Sequence, residues 1–337
     1  MEQFSPNLTI LDVGHGQCVV LQDALGIVIF DAGLGATLLE FLQECAITQI
    51  DAVIISHADA DHISGLLALL SAATVQVRHV YLNSDATKNS DIWEDLRYAI
   101  ADATARASIS VSVELTTSST QQFTRGDVQI EILYPQPAVA MAGPGGTDLK
   151  GRKLTSNSMS AVSRVSYQSV PRLLLTGDLD AVGLENLLET FPSPRSEVLV
   201  FPHHGGLPSR ANPVEFASLL GQVVQPSLIV FSIGRGKYQT PRPEIVAGIR
   251  RVLPGVTIAC TQLSAHCSAS VPSTDPTHLE SIAARGRVSH SCCAGSIRMV
   301  LEPSSIRYLN DLQGHQDFIA ANAPSALCKR AWRSSSL

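Results

Sequence analysis

The sequence predicts an α/β fold in which β-strands come first and alternating strands and helices follow. Apolar runs separated by turn-forming glycines at residues 8–21 and 26–33 are typical of paired strands. Beyond residue 38, short apolar runs of strand type alternate with segments whose apolar residues recur at helical spacing. This order is typical of β-sheets that carry helices on their outer faces.

The first half of the chain supplies nine predicted elements, because residues 8–21 contain two strands separated by a glycine-containing turn. In chain order they are strands at 8–21 and 26–33, a helix at 38–45, a strand at 52–55, a helix from 64, a strand at 77–82, a helix capped by Asn89 or Ser90, and a strand at 128–134. Residues 137–156 are rich in Gly, Pro and small side chains, with Lys150, Arg152 and Lys153 near the end. This segment fits either a variable surface loop or a mobile basic lid over an anionic substrate.

The second half continues the alternation of strands and helices. In chain order its predicted elements are strands at 158–168 and 172–176, a helix at 182–188, a strand at 198–201, a helix at 216–223, a strand at 228–233, a helix at 244–253, and a closing pair of strands at 257–263 and 296–301. We expect one domain over residues 1–302, closed by a Cys- and His-rich segment at 257–301. Residues 303–337 are expected to form a Ser- and Ala-rich tail that adds little.

Composition restricts the class of protein. No stretch approaches the roughly 18 apolar residues of a membrane span, and the N-terminus lacks a basic and apolar signal segment. We therefore expect a cytoplasmic protein without a membrane partner. Seven cysteines, an odd number, fit reduced thiols or metal ligands better than a disulfide framework. The net charge of −6 argues against an extensive non-specific nucleic-acid surface but allows a local basic groove.

The most informative stretch is a cluster of polar residues between an apolar strand and an apolar helix. His57, Asp59, Asp61 and His62 place four potential metal ligands within six positions. Side chains two apart in an extended turn point the same way, so His57 and Asp59 can converge on one ion. Asp61 and His62, where the helix begins, then face a neighbouring ion. A solvated turn is the alternative, because Asp is common in turns, but the concentration of ligands favours metal binding.

Further candidate ligands follow later strands. Asp178 ends the strand at 172–176, and the pair His203 and His204 ends the strand at 198–201. Asn157 is a weaker candidate. Loops at the carboxyl ends of strands are where α/β architectures gather catalytic groups, so these residues are expected to complete one site.

These motifs resemble the metallo-β-lactamase superfamily. The resemblance rests on His-x-Asp-x-Asp-His at 57–62, Thr-Gly-Asp at 176–178 and Pro-His-His-Gly at 202–205. Within the superfamily, Asp-Val-Gly-His-Gly-Gln at 12–17 is similar to the opening of the metallohydrolase domain of the DNA-uptake protein family ComEC. Further landmarks have counterparts at 30–33, 157–158 and 238–241. The resemblance covers about residues 8–250 and implies a four-layer αββα sandwich, with two β-sheets face to face and helices outside.

The resemblance also implies roles for the candidate ligands. His57 and Asp59 would bind a first metal ion, Asp61 and His62 a second, and Asp178 would bridge the two. Asp61 would in addition orient a metal-bridging hydroxide that attacks the substrate.

The resemblance also implies roles for the pair His203 and His204 and for Asn157. The pair His203 and His204 would supply one metal ligand and one neighbouring acid or substrate contact, in either order. Asn157 stands where many members carry a third histidine ligand, so the first metal would be held more loosely and Asn157 could contact substrate instead.

The departures from the family pattern bear on metal and substrate. Asp59 and Asn157 make the site richer in oxygen ligands, which favours Mn²⁺ over an all-imidazole zinc site, while Zn²⁺ stays possible. Three carboxylates against two divalent cations leave net positive charge, which suits an anionic substrate. Two metals about 3.5–4 Å apart can clamp the attacking and leaving oxygens of a phosphoryl displacement.

A second group of residues is predicted to contact the substrate. Thr240 stands where the ComEC branch usually has a histidine, and Arg235, Lys237 and Arg242 surround it without an acidic neighbour. These cations could hold a phosphate, or they could be an ordinary basic surface turn.

The C-terminal third contains a separate cluster of cysteines. Cys260, Cys267, Cys292 and Cys293 lie near three histidines in the sequence. A structural zinc site is one interpretation, although the tight Cys-x2-Cys spacing of common zinc modules is missing. Buried free thiols are the other.

The leading functional hypothesis is a two-metal-dependent phosphodiester hydrolase, a nuclease acting on DNA or RNA. One alternative is a hydrolase of small phosphodiesters, such as a cyclic nucleotide or a phosphorylcholine-type diester. A non-catalytic metal-binding regulator is another, and a protein partner of unknown kind is compatible with any of them.

Overall fold

The computed structural model describes residues 5–72, 74–106, 109–236, 238–323 and 325–329. Its strands in chain order are β1 (Asn7–Ile10), β2 (Val19–Asp23), β3 (Gly26–Phe30), β4 (Gln49–Ile54), β5 (Gln76–Tyr81), β6 (Ser110–Ser112), β7 (Thr124–Arg125), β8 (Val128–Tyr134), β9 (Val162–Tyr167), β10 (Val170–Leu175), β11 (Val198–Val200), β12 (Leu228–Phe231), β13 (Thr257–Cys260), β14 (Ile297–Leu301) and β15 (Ile306–Tyr308). Its helices are α1 (Thr37–Glu44), α2 (Ala60–Ser71), α3 (Asp91–Ala105), α4 (Pro137–Ala142), α5 (Ala181–Thr190), α6 (Pro213–Val224), α7 (Pro243–Val252) and α8 (Leu312–Asn322).

The strands form two mixed sheets. The first has the order β15-β14-β1-β2-β3-β4-β5-β6, and the second has the order β13-β12-β11-β10-β9-β8-β7. In the first sheet the pairs from β3 to β6 are parallel and the others antiparallel. In the second, the pairs from β10 to β13 are parallel and those from β7 to β10 antiparallel. Both sheets therefore have parallel strands whose carboxyl ends can carry functional loops.

The buried apolar side chains form three layers of core, one between the two sheets and one between each sheet and its outer helices. In β10, Leu173 and Leu175 point into the core between the two sheets, whereas Leu174 points to the outer helices. The outer core of the second sheet contains residues of α5, α6 and α7, and that of the first sheet contains residues of α1, α2 and α3. This is the αββα sandwich predicted from the sequence.

The C-terminal region differs from the predicted tail. Strand β15 pairs with β14 at the edge of the first sheet, and α8 packs on the second sheet through Ile319 and Ala323. His315 and Ile319 of α8, together with Ala323 directly after the helix, lie at intervals of four and are all buried, a pattern that the surrounding small and polar residues conceal in the sequence. The region up to Lys329 is thus part of the domain.

The two predicted closing strands are both present, and the structure shows which sheet each one joins. Strands β13 and β14 do not pair with each other, because β13 is the edge of the second sheet and β14 lies within the first. The segment between them crosses from one sheet to the other.

The segment at 137–156 packs against α5. Arg152 donates to Asp148 and forms ion pairs with Glu185 and Glu189 of that helix, and Lys150 also pairs with Glu189. Because these cations are engaged by carboxylates, the segment fits the surface-loop interpretation better than a basic lid. No helix in the described ranges is long and apolar enough to cross a membrane.

Candidate metal centre

The predicted ligands meet at one end of the sandwich. Residues His57 to His62 follow β4 and lead into α2, so they come from the first sheet. Asp178 follows β10, and the turn Pro202–Gly205 follows β11, so these come from the second sheet. Each group lies beyond the carboxyl end of a parallel strand, as the sequence predicted, and the two sheets contribute to one site.

Four of these residues form a compact group. Asp61, His62, Asp178 and His204 have one ligand atom each within 4.8 Å of the others, and they are the only such group in the described ranges. Asp61 Oδ2 lies 3.1 Å from His204 Nε2. Asp178 Oδ1 lies 3.2 Å from His62 Nε2 and 3.4 Å from His204 Nε2. Two nitrogen and two oxygen donors are therefore aimed at a common point.

Buried polar atoms without hydrogen-bond partners indicate that the space between these four residues holds a ligand. His62 Nε2 and Asp178 Oδ1 belong to the compact group, and His57 Nε2 lies beside it. All three are buried and make no hydrogen bond. A buried polar atom left unpaired costs about 1–3 kcal/mol, so three together need a ligand. Imidazole nitrogens and carboxylate oxygens are common ligands of Zn²⁺ and Mn²⁺, so the residues fit a divalent cation.

Hydrogen bonds fix the orientation of both histidines in the group. His62 Nδ1 lies 2.8 Å from Asp31 Oδ2, and Asp31 also accepts hydrogen bonds from the backbone and hydroxyl of Ser56. His204 Nδ1 donates to the carbonyl oxygen of Ser232 at 2.8 Å. Because a carbonyl oxygen can only accept, His204 Nδ1 carries a proton. The Nε2 atoms of His62 and His204 therefore face the centre, an arrangement typical of metal-binding histidines.

A second set of candidate ligands surrounds the other oxygen of Asp178. Its Oδ2 atom lies 2.9 Å from His203 Nδ1 and 3.9 Å from His57 Nε2. His57 Nε2 is also 3.8 Å from Asp59 Oδ2. The amide nitrogen of Asn157 lies 3.4 Å from His203 Nδ1. Asp178 thus turns one oxygen to the compact group and the other to this second set.

A lysine that the sequence did not single out contacts the second set. Lys88 forms an ion pair with Asp59 Oδ1, and both side chains are partly buried. The ammonium group competes with a cation for this carboxylate. Lys88 follows β5 in an irregular segment, where no local pattern links it to Asp59.

Electrostatics keep the central carboxylates ionised. Burial alone would raise the pKa of Asp61 and Asp178, but the neighbouring histidines outweigh it and hold both pKa values below the usual range. Burial alone would lower the pKa of His62, but Asp178, Asp31 and Asp61 outweigh it and raise this pKa well above its usual value. Burial lowers the pKa of His57. Because these carboxylates are ionised, they attract a cation to the space between them and the imidazoles.

The turn that carries the histidine pair has an unusual backbone. His203 and His204 both have φ of 54° and Gly205 has φ of 76°, so three successive residues are in the left-handed region. A Cβ at Gly205 would lie 2.6 Å from Pro241 and 2.7 Å from Phe231. Non-glycine residues in this region cost free energy, and such strain concentrates at functional sites. The turn aims two adjacent imidazoles at different sides of Asp178.

Comparison with known families agrees with this geometry. The profile of the Metallo-beta-lactamase superfamily matches residues 11–205, which is more than half of the chain. The chain belongs to the metallo-β-lactamase superfamily. The matched region includes both sheets' contributions to the centre, from the turn before β2 to Gly205.

Individual superfamily relatives are distant. ComE operon protein 3 from Bacillus subtilis (strain 168) is 25% identical over 216 residues, which cover 64% of this chain and 24% of that protein. The chain spans about a quarter of that relative's length, and the match agrees with the resemblance to ComEC. YhfI, a metallo-beta-lactamase fold protein from Bacillus subtilis, is 15% identical with a TM-score of 0.45, covering 75% of this chain and 96% of YhfI. Human tRNase Z, short form, is 13% identical with a TM-score of 0.40, covering 69% and 94%.

The superfamily site opens to a cavity of about 330 Å³ above the centre. His15 lines it and was not predicted as a site residue, although it lies in the Gly-His-Gly turn of the family motif. Its ring is 4.4 Å from that of His204 and stacks on Tyr238 at 4.1 Å, and its Nε2 lies 3.5 Å from Asp61 Oδ2. Burial, followed by His204, lowers the pKa of His15 to about 4.

The predicted substrate contacts are only partly brought together. Thr240 lines the cavity, and its buried hydroxyl has no hydrogen-bond partner. Arg242 also lines it. Asn157 lies beside His203, as described above. Lys237 lies outside the described residues.

Arg235 requires a correction. Its guanidinium donates to the backbone carbonyl oxygens of Leu263, Ser268 and Ala269 at 2.8–2.9 Å. Arg235 therefore fastens the loop after β13 instead of presenting its charge to a phosphate at the centre.

The structure distinguishes the two interpretations of the cysteine cluster. Cys292 contacts Asp12 at 3.6 Å, whereas the adjacent Cys293 contacts His315 at 3.3 Å, so the two sulfurs face different surroundings. Cys260 and Cys267 are buried in the outer core with Cys293. All four are free thiols, and burial raises their pKa. Within the described residues they form no compact ligand group, which favours buried thiols over a structural zinc site.

Proposed function

We propose that the protein is a metal-dependent phosphodiester hydrolase that acts on nucleic acid. The observation that carries this proposal is the position of Asp178, whose two oxygens face two adjacent sets of ligands. Two neighbouring cation positions around one carboxylate suit in-line displacement at phosphorus, where charge develops on both the attacking and the leaving oxygen. Bound divalent cations supply the Lewis-acid stabilisation of that charge.

The ligand roles follow from which atoms face each position. Asp61, His62, Asp178 and His204 would hold the better-formed cation site, since their donor atoms already converge. His57, Asp59 and Asp178 would hold the other, more weakly, because Lys88 engages Asp59. The oxygen-rich donor set supports Mn²⁺ as well as Zn²⁺.

His204 is the better candidate for a metal ligand and His203 for a substrate contact. His204 is buried, and its Nδ1 proton is committed to Ser232. His203 has a side chain that is 37% exposed and lines the cavity. A histidine at this position can hold a phosphate oxygen or the leaving oxygen in place.

Two other side chains supply recognition of an anion. Thr240 offers an unpaired hydroxyl to a phosphate oxygen. Arg242 is half-buried at the cavity and has no ion-pair partner in the described part of the chain. A partly desolvated guanidinium without a carboxylate partner attracts phosphate strongly. The site as a whole therefore suits a phosphodiester.

A small phosphodiester is the second candidate substrate. The cavity of about 330 Å³ is at the small end of the usual range for ligand pockets, and the net charge of −6 gives a polymer no general attraction. A non-catalytic regulator is a weaker candidate, because the ligand set is nearly complete.

Hydrolysis by defined metal forms tests the proposal. Protein stripped of metal is reloaded with Mn²⁺ or Zn²⁺ and offered single-stranded and duplex DNA, RNA, cyclic nucleotides and bis(p-nitrophenyl) phosphate. Asp61→Asn and His62→Ala are expected to lose at least a hundredfold in rate. Asp102→Asn, which removes an exposed carboxylate on α3 far from the centre, serves as the matched control.

Three outcomes separate the candidates. Cleavage of polynucleotides supports the proposal, and turnover of cyclic nucleotides alone selects the small-substrate alternative. Retention of wild-type rates by both Asp61→Asn and His62→Ala would refute the assigned site.

A further inference from the structure

A second cavity adjoins the one above the metal centre. Its volume is about 460 Å³, and it shares His15 and Tyr238 with the first cavity. The two cavities thus meet at one pair of stacked rings. A substrate bound at the centre could continue past these rings into the second cavity, which we call the Arg285 groove after the cation described below.

The shared wall is a pair of stacked aromatic rings. The rings of His15 and Tyr238 are 4.1 Å apart and inclined by only 20°, and His15 in turn contacts His204. Tyr238 is 50% exposed, so part of its ring is accessible to a ligand. Aromatic side chains beside a phosphodiester site act as stacking platforms for bases, at roughly 1–3 kcal/mol per base.

An unneutralised arginine borders the groove. The side chain of Arg285 is exposed, and in the described part of the chain its guanidinium has no ion-pair or hydrogen-bond partner. None of the described residues that line the groove is acidic. Arg235, the other lining arginine, is held by backbone carbonyls. Arg285 is therefore the cation available to a phosphate there.

The position of Arg285 is tied to that of His15. The carboxylate of Asp12 is buried and accepts hydrogen bonds from the backbone of Gly14 and of Gly286, at 3.1 and 2.9 Å. The backbone nitrogen of Arg285 donates to the carbonyl oxygen of Asp12 at 2.7 Å. The arginine side chain lies over Gly14, where a Cβ would be 3.5 Å from its Cγ. The turn that carries His15 and the segment that carries Arg285 are thus both hydrogen-bonded to Asp12.

We infer that the Arg285 groove binds the nucleotide next to the scissile phosphate of a single-stranded nucleic acid. Its base would stack on the exposed part of the Tyr238 ring, which His15 supports from behind, and its phosphate would pair with Arg285. Stacking on Tyr238 requires an unpaired base, which selects single strands over duplex. The inference rests on the proposed function and narrows its substrate class.

Binding without cleavage tests the groove separately from catalysis. The protein of residues 1–337 is kept in chelator, and its affinity for a fluorescently labelled single-stranded oligodeoxynucleotide is measured by anisotropy over a range of salt concentrations. Each phosphate contact on a single strand contributes about 0.7 to the slope of log affinity against log salt. Arg285→Ala is expected to weaken binding roughly fivefold to tenfold and to reduce this slope by about 0.7.

Two further variants distinguish a local contact from a general charge effect. Arg251→Ala removes another exposed cation, at the end of α7, and is expected to bind as the wild type does. Arg285→Lys keeps the charge and should retain the slope. Tyr238→Ala is expected to weaken binding about tenfold while leaving the slope unchanged, because stacking involves no counterion release.

The inference fails if Arg285→Ala and Arg251→Ala behave alike, or if a duplex of the same sequence binds as tightly as the single strand. Failure of the proposed function has a different signature. In that case the metal-loaded wild type cleaves no phosphodiester, whatever the anisotropy measurements give.

Discussion

His62 and Asp31 form a buried pair in which imidazole Nδ1 lies 2.8 Å from carboxylate Oδ2. Neither residue is accessible to solvent. The pairing leaves His62 Nε2 as the atom that faces Asp178, so Asp31 orients a candidate metal ligand from behind.

The first prediction concerns this pair. Asp31→Ala is expected to lower the affinity for Zn²⁺ or Mn²⁺ by about 10-fold to 100-fold, because His62 loses its orienting partner. Competition with a chromophoric chelator measures the affinity. Asp23→Ala is the control, since Asp23 is also buried but pairs with Arg125 instead of a histidine of the centre. Equal losses for the two variants would contradict the role given to Asp31.

Lys88 is predicted to weaken the second cation position. Lys88→Met should release the Asp59 carboxylate and raise the affinity of the more weakly bound ion several-fold, bringing the stoichiometry closer to two. Calorimetric titration with Mn²⁺ resolves the two binding steps. Lys150→Met, which breaks an ion pair with Glu189 on the protein surface, should leave both steps unchanged. A decrease in stoichiometry for Lys88→Met would show that the lysine supports the site.

Arg235 is predicted to act on stability. Arg235→Ala leaves the carbonyl oxygens of Leu263, Ser268 and Ala269 without their donor, which we expect to cost about 1–3 kcal/mol. Urea unfolding monitored by circular dichroism gives the free energy of unfolding. Arg251→Ala removes an arginine that makes no such bonds and provides the baseline. An unchanged unfolding midpoint for Arg235→Ala would show that the loop is held by other contacts.

His315 is predicted to make stability depend on pH. Burial, reinforced by His278, lowers its pKa from 6.5 to about 4. Between these values the unfolded chain binds a proton that the folded protein does not, so the free energy of unfolding falls as the pH drops from 6.5 to 4. The full effect is roughly 3 kcal/mol, because one pKa unit corresponds to about 1.4 kcal/mol. Above pH 6.5 this histidine contributes nothing to the pH dependence.

Urea unfolding at a series of pH values between 4 and 7 checks this effect. His315→Gln should flatten the curve over the stated range. The exposed His290, which pairs with Asp275, provides the control His290→Gln. Identical pH curves for wild type and His315→Gln would assign the acid sensitivity to other groups.

The features that the sequence predicted well are those encoded locally. The candidate ligands at 57–62, 178 and 203–204 each begin three residues after an apolar strand ends, and the parallel strands bring their carboxyl ends to one edge. The alternation of strands and helices likewise follows from the apolar patterns within single elements, whereas the αββα arrangement was implied by the resemblance to the superfamily. Strand end and ligand are neighbours in the chain, so one sequence window contains both.

The features that were missed depend on contacts between distant parts of the chain. Lys88 meets Asp59 across 29 positions, and Arg235 meets Ala269 across 34, with no periodicity to reveal either contact. Strand β14 pairs with β1 from the other end of the sequence. His15 lies in the Gly-His-Gly turn of the family motif, but its contacts with His204 and Tyr238 join distant parts of the chain, so the local sequence does not indicate a role for its side chain.

The centre draws its ligands from both sheets, with Asp61 and His62 on one and Asp178 and His204 on the other. Neither half of the chain can therefore bind an ion with four donors until both have folded and docked. A cation bound there would link the two halves of the chain. The metal content would then report the fraction of molecules in which both halves have folded and docked. Conversely, chelation would remove this link between the two sheets, so the metal-free protein is expected to unfold at a lower denaturant concentration than the metal-loaded protein.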